Sequence, residues 1–399
     1  MSLSEDIPLE TSTESSPEEG KISAARSSQV LARRTLLTRS LALGTGIMGL
    51  NFLESHLPAS AAAVSNWKPS SAIQHIAQNT TQLHSCGRAT DGKLYHTIRL
   101  SSSAWQSSFG NINDQESNGR DLRFTDVDCS GVADNLHVAT LAPDGVIWHT
   151  IRFASGSWQS AFGNVNNQES NGGSLRFSNV SCAGTMSSKL HLTALSRSGI
   201  LWHTIRFANG SWAQAFGNVN NQESNGSILR FTNTDCAISG ENLHVCAIDR
   251  NGTLWHTIRF ADGSWARSFG NVNNQESNGS ALRFTDVGCA TIDGNLHVTA
   301  VAESGILWHT IRFTDGSWAP AFGNVNNQES TTSGLRFTDV DCANVANALH
   351  VTAINRVDNI WHTIRFANGS WQSVFGNVNH QESNGNTLRF TAVSAAGVV

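Results

Sequence analysis

Six copies of the run Trp-His-Thr-Ile-Arg, the first with Tyr95 in place of the tryptophan, hold most of the side chains in this sequence that could do chemistry. Their histidines stand at His96, His149, His203, His256, His309 and His362, in steps of 53, 54, 53, 53 and 53 residues. Each is followed three residues later by an arginine: Arg99, Arg152, Arg206, Arg259, Arg312 and Arg365. An imidazole can carry a proton or ligate a metal, a guanidinium offers a planar fork of donors, and an indole presents an apolar face with one polar tip. Catalysis needs unlike groups converging on one point, whereas a repeat distributes each group to equivalent, separate places. The chain has no Ser-x-Asp-x-Gly-x-Thr-Trp box, no Gly-x-Ser-x-Gly elbow, no His-rich cluster and no Cys-x-x-Cys. We therefore expect no enzyme activity, no catalytic residues, no metal and no cofactor.

Comparing the units with one another separates recognition candidates from framework. Trp158, Trp212, Trp265, Trp318 and Trp371, with Trp105 in the first unit, follow short turns. Their rings can edge onto the surface and grip the apolar side of a sugar ring. Trp148, Trp202, Trp255, Trp308 and Trp361 lie inside strands beside His149, His203, His256, His309 and His362. The alternative for the strand set is packing between units, for the histidines a satisfied burial, and for the arginines stacking on an indole. The connection Asn-Gln-Glu-Ser-Asn-Gly reappears nearly unchanged while the neighbouring turns drift, which marks Glu169, Glu223, Glu276, Glu329 and Glu382 as a candidate ligand surface. Its alternative is a structural bridge between adjacent units.

The elements that must position these residues are strands. Leu229–Cys236, Leu243–Ile248, Thr253–Phe260 and Trp265–Val272 are short β-branched and aromatic runs, separated by turns such as Asn251-Gly252 and Asp262-Gly263. Four strands per 53 residues is the arithmetic of a β-propeller blade. The expected fold is all-β, with six blades of four antiparallel strands. The solitary strand Leu388–Val393 completes the blade begun near Leu83 and closes the ring. Ile73–Asn79 reads as a degenerate first strand, so a seventh, incomplete blade stays open. Pairing Phe260 with Trp265 places Trp255 opposite Gly270, His256 opposite Phe269, Thr257 opposite Ser268 and Arg259 opposite Ala266. Trp202 then meets Gly217, and Arg206 meets Ala213. That register would explain the glycine of each Phe-Gly-Asn.

The ends and the composition bound the rest. Residues 1–30 are polar and acidic. Arg33-Arg34, an apolar stretch from Leu41 to Leu53 and the small-residue run Ala59–Ala63 follow in the order of a twin-arginine export signal. We expect an export segment at 1–63, a linker at 64–71 and a propeller at 72–399, with a secreted, cell-surface or periplasmic location. Removing residues 1–61 leaves 21 Lys/Arg against 24 Asp/Glu. That balance lacks the basic footprint of a nucleic-acid binder. No apolar run of about 20 residues is present, so no membrane-spanning helix is expected. Cys129, Cys182, Cys236, Cys289 and Cys342 share one repeat position, and Cys86 and Cys246 share another. Their alternation with alanine reads as small buried hydrophobes, with a Cys236–Cys246 bridge left open.

The repeat resembles that of the Photorhabdus-type PLL lectins: Leu-Trp-His-Thr-Ile-Arg, then Gly-Ser-Trp, then Phe-Gly-Asn-Val, with Leu-His-Val preceding, across about residues 72–399. The resemblance implies a metal-independent propeller, seven-bladed in that family, that binds fucose and related, sometimes O-methylated, sugars in equivalent pockets between blades. This chain departs from it in having six countable units, a longer connection, Tyr95 in the first unit, and Thr331-Thr332 in place of Asn-Gly in the fifth. The functional expectation is an exported multivalent lectin whose partners are glycans or glycoconjugates. The alternative is a non-catalytic scaffold for protein or cell-envelope binding. The sugar and the oligomeric state stay open.

Overall fold

Runs of apolar and β-branched residues that end every six to nine positions in Gly, Asn or Asp cannot sustain a helix and pair instead with their sequence neighbours. The chain accordingly forms six four-stranded antiparallel sheets. The computed structural model describes residues 81–329 and 334–399, within a unit spanning Ser70–Val399. The expectations placed on 1–63, on 64–71, on Ile73–Asn79 and on Thr331-Thr332 lie outside the described residues.

Each sheet is one blade, with its first strand innermost. The inner strands are Phe390–Val398 in blade 1, Asp126–Val132 in blade 2 and Phe177–Gly184 in blade 3. Phe231–Ser239, Phe284–Ile292 and Phe337–Val345 are those of blades 4, 5 and 6. Consecutive inner strands touch all the way round, blade 6 meeting blade 1 and blade 1 meeting blade 2. The C-terminal strand pairs with Gln82–Ala89, setting Leu83 opposite Gly397 and Cys86 opposite Ser394. The ring is thus six-bladed and closed as expected, in contrast to the seven blades that the family resemblance implies.

The apolar cores lie between blades. At the interface of blades 4 and 5, Cys246, Ile248, Leu254 and Val272 pack on Val287, Leu296, Val298 and Phe322, with Trp308 and Trp318 closing the outer side. Five equivalent clusters fill the other interfaces. Each blade hides both faces this way, which a single sheet could not do. All seven cysteines are buried and free. Cys236 stands opposite Val245, so the Cys236–Cys246 bridge is not formed.

Around the central channel, carboxylates join neighbouring inner strands that share no ladder. Asp126, Asp128, Asp235, Asp286, Asp339 and Asp341 each accept a backbone N–H from the next blade, on Val180, Cys182, Cys289, Val340, Val393 and Ala395, at 2.5–2.9 Å. Asn179 does the same for Thr234 at 3.2 Å, and Ser394 for Cys129 at 2.8 Å. These bonds satisfy edge N–H groups that a sheet edge otherwise leaves open. Burial pushes the Asp126 and Asp235 carboxyls up to about 7 and the Asp286 carboxyl up to about 8.

The third-to-outer hairpin departs from the expected register. Trp255 lies opposite Asn271 and His256 opposite Gly270, while Arg259 bridges Trp265. In blade 3, Trp202 meets Asn218 and Arg206 meets Trp212. The outer strand is not continuous: it pairs at the tryptophan, leaves the ladder, and rejoins for only Gly270–Asn271. A Cβ at Gly270 would find His256 O at an ordinary 3.7 Å, so the glycine of Phe-Gly-Asn has no steric requirement there.

Candidate functional site

The six interfaces repeat one constellation, built from two strands of one blade and two of the next. Between blades 4 and 5, His244 on the second strand and His256 on the third are cross-strand diagonal neighbours, and Nδ1 of the first lies 3.0 Å from Nε2 of the second. The same pairing joins His84 to His96, His137 to His149, His191 to His203, His297 to His309 and His350 to His362, at 3.0–3.1 Å. Burial, helped by an arginine of the following blade, drives the second-strand imidazoles down to about 3 for His84 and about 4 for His244. The third-strand partners are likewise held well below the ordinary imidazole range by burial. Both rings are therefore neutral near pH 7, each sharing one nitrogen and keeping the other.

The arginine comes from the third strand of the next blade. Arg152 faces His84, Arg206 His137, Arg259 His191, Arg312 His244, Arg365 His297 and Arg99 His350. All six are half-exposed. Their guanidinium groups make no hydrogen bond or ion pair among the described residues. Arg259 folds across its own turn, with Nη2 3.2 Å from where a Cβ on Gly263 would sit, and Gly263 holds φ +94°. No guanidinium–indole stacking accompanies it among the described residues. The turn glycine thus seats the arginine twice over, by its left-handed backbone and by its missing side chain.

Both tryptophan sets line the same interface. Trp158, Trp212, Trp318 and Trp371 are half-buried in the interblade clusters, as are Trp148, Trp202, Trp308 and Trp361, and the pair Trp255 and Trp265 packs likewise. Trp318 sets its edge against His256 of the preceding blade, centroids 5.5 Å apart at 81°. The turn tryptophans therefore buttress the imidazole pair. Trp255 donates its Nε1 to Asp249 at 2.9 Å.

The glutamates are not on the surface. Glu169, Glu223, Glu276, Glu329 and Glu382, with Glu116, are 2–5 % exposed. Each accepts a hydrogen bond on Oε1 from a third-strand threonine of the next blade: Thr204, Thr257, Thr310, Thr363, Thr97 and Thr150 in turn. Burial pushes these carboxyls up to about 7. Two asparagines of the connection are equally occupied, while Asn274, Gln275 and Ser277 are exposed. Asn273 accepts from Leu254 N at 2.8 Å and donates to Gly279 O at 2.8 Å, while Asn278 clasps Phe322 through both N and O at 2.9 and 3.0 Å. The near-invariance of these buried residues is that of a tie between blades, and the glutamate carboxyls face the next blade rather than solvent.

What opens at the rim is a series of clefts beside the arginines. The one between blades 6 and 1 has 360 Å³ and is lined by His350, Arg99, Leu100 and Phe366. Between blades 5 and 6 a cleft of 150 Å³ meets His297, Arg365, Phe313 and Phe366. His84, Arg152 and Phe153 line one of 90 Å³ between blades 1 and 2. Phe153, Phe207, Phe260, Phe313 and Phe366, each directly after its arginine, are 38–42 % exposed. Two groups of this site escaped the sequence reading: the second-strand histidines and these phenylalanines. The former had a signal, a constant spacing of 12 residues to the third-strand histidine. The latter had none, because an apolar residue after a strand gives no sign of which way it faces.

An unspent planar donor, a neutral imidazole pair and an exposed aromatic suit an uncharged polyol with one apolar side. No protein-family model matches the chain, and no curated protein sequence does. Among solved structures, a triple arginine-to-alanine mutant of AofleA from Arthrobotrys oligospora is similar, with a TM-score of 0.51 at 10 % identity. The match covers 79 % of this chain and 85 % of that one. The Aleuria aurantia lectin, described as a six-bladed β-propeller with a novel fucose recognition mode, gives 0.49 at 12 % identity over 74 % of this chain and 95 % of its own. At such identities the AofleA likeness is one of fold: this chain is a six-bladed propeller of that shape.

Proposed function

We propose that this chain is a multivalent carbohydrate-binding protein whose interblade clefts each take a neutral deoxyhexose of the fucose class. One observation carries the reading: an arginine with no protein partner recurs at every interface beside a neutral histidine pair. The guanidinium donates to vicinal hydroxyls, an imidazole nitrogen takes or gives a further hydrogen bond, and the deoxy carbon with its apolar edge rests on the exposed phenylalanine. Carbohydrates gain from such mixed surfaces because each hydroxyl needs a partner while the ring's C–H face needs shelter from water. The resemblance to the PLL repeat supports the same sugar class. Each cleft is shallow, so single-site affinity lies in the millimolar to micromolar range, and avidity on a glycan-bearing surface adds about 100-fold where two or more clefts engage together. Export by a twin-arginine signal would deliver the folded ring to such surfaces. Titration calorimetry with free L-fucose, galactose and mannose tests the proposal. Saturable heat with fucose, displaced by no neutral hexose of other configuration, supports it, and absence of heat with all three sugars at 20-fold excess over a millimolar constant (about 20 mM) refutes it.

A further inference from the structure

The clefts open where the first-to-second and third-to-outer turns lie. The opposite face carries the second-to-third turns, and its charges are unevenly distributed. We infer that on this face blades 3 and 4 form a binding arc for a linear anionic glycan bearing sulfate or carboxylate groups. The arc consists of Arg176, Arg197, Arg230 and Arg250. Arg197 N donates to Arg176 O at 3.3 Å and Arg250 N to Arg230 O at 3.2 Å, so two arginine pairs are held side by side by their own backbones. The pairs are joined, because Arg250 Nη2 reaches Ser198 O in the turn of blade 3 at 3.3 Å, and Arg197 Nη2 reaches Pro143 O in that of blade 2 at 3.2 Å.

Every hydrogen bond these four guanidinium groups make goes to a backbone carbonyl. Arg176 Nη1 donates to Gly173 O and Leu175 O, and Arg230 Nη1 to Ser227 O and Leu229 O. Carbonyls orient the forks without cancelling their charge, and among the described residues none of the four lies within 4.0 Å of a carboxylate. Asp144, in the neighbouring turn, accepts from Val146 N at 3.0 Å. Gathering like charges costs free energy unless a counter-charge arrives.

The rest of the face makes the arc local. At the position of Arg197 and Arg250, blade 1 has Thr90, blade 2 Pro143 and blade 5 Glu303, while blade 6 has a single arginine, Arg356, tethered to Arg336 O and Ser304 O in the same way. Blades 3 and 4 are the adjacent pair that each carry a turn arginine, whereas Arg356 of blade 6 stands between Glu303 of blade 5 and Thr90 of blade 1. A flat anionic membrane pressed on this face would meet the exposed Asp144 of blade 2 and Glu303 of blade 5 too, whereas a thin chain following the arc would not. The turns 196–199 and 249–252 hold no aromatic side chain on which bases could stack, which disfavours single-stranded nucleic acid.

The test is binding of a heparin-derived hexasaccharide at 50 and 300 mM NaCl, to the full chain and to Arg197→Ser/Arg250→Ser. Wild type should bind at low salt and weaken at least tenfold at high salt. The double variant should weaken at least tenfold at 50 mM, with unchanged melting temperature and unchanged fucose response, whereas Arg283→Ser, beside Glu303, should stay within twofold. Absence of hexasaccharide binding, equal binding by the double variant, or tighter binding to anionic vesicles or to an oligonucleotide of equal charge would each overturn the assignment. Fucose binding is read separately, so its failure leaves this outcome intact.

Discussion

Arg259→Ala should silence one cleft and leave the others untouched. The side chain lies at the interface of blades 3 and 4, facing His191 and His203, with no hydrogen-bonded protein partner to orphan. Removing it therefore should not unfold the ring, and a stability change within about 0.5 kcal/mol is expected for a surface position of this kind. A charge-assisted hydrogen bond to the ligand contributes about 1.5–3 kcal/mol, which is roughly 10- to 150-fold in affinity for that cleft. A site at the millimolar end of the range then moves to about 10–150 mM and drops out of the titration. Calorimetry with fucose should show the stoichiometry fall by one site of the six that the blades provide, with the dissociation constant of the rest unchanged. The triple variant at Arg152, Arg259 and Arg365 should retain half the sites. The imidazole carbons of His191 and His203, followed by NMR, should titrate at higher pH once the neighbouring positive charge is gone. An undiminished stoichiometry, or a uniform loss of affinity at every site, would refute the assignment of one arginine to one pocket.

Two further predictions concern stability. The buried histidines, driven to about 3 or 4, take up protons in the unfolded chain below about 6.5 but not in the fold, so their contribution grows as pH rises from 4 to 6.5. The buried carboxyls behave oppositely: Glu276, Asp126 and Asp235 keep their protons to about 7 and Asp286 to about 8, against about 4 when unfolded, so their contribution is lost as pH rises. The two trends oppose each other between about pH 4 and 6.5, and the carboxyls act alone above that. Thermal melts should therefore show a plateau near pH 5–6 and a falling midpoint from pH 6.5 to 8; a midpoint that rises over the latter interval would contradict the burial of these acids. Asp235→Ala should cost about 1–3 kcal/mol by stranding Cys289 N and the Ser181 hydroxyl, whereas Asp235→Asn, which keeps an amide oxygen as acceptor, should melt within about 2 °C of wild type at pH 8. Equal losses in the two variants would show that the carbonyl-type acceptor is not what matters.

The architecture was legible because the repeat is nearly exact and each strand is bounded by turn residues. Closure followed from an unpaired first-strand sequence at Leu388–Val393 and an unpaired second-strand sequence at Leu83. The outer-strand register was not legible, because the residues between Trp265 and Gly270 leave the ladder and nothing in their identity fixes how many do so. Glu276 illustrates the harder failure: a polar connection looks exposed in sequence, yet its carboxyl turns inward to Thr310 of the next blade. Direction relative to a neighbouring blade is a tertiary property, and a pattern within one unit does not encode it. The site histidines and arginines were visible as residue types; their meeting across an interface required the ring.

The position of Phe390–Val398 at the axis also bears on how the molecule is made. The hairpin of blade 1, translated first, receives its central strand about 300 residues later, so during synthesis it must wait with an open edge while five complete neighbours assemble. Such long-range closure slows ring completion and leaves a sticky intermediate until Phe390–Val398 has been made. A polypeptide stopped shortly before residue 390 would carry five finished blades and one that can recruit the missing strand only from another molecule, so premature termination should yield strand-exchanged oligomers rather than a smaller working ring.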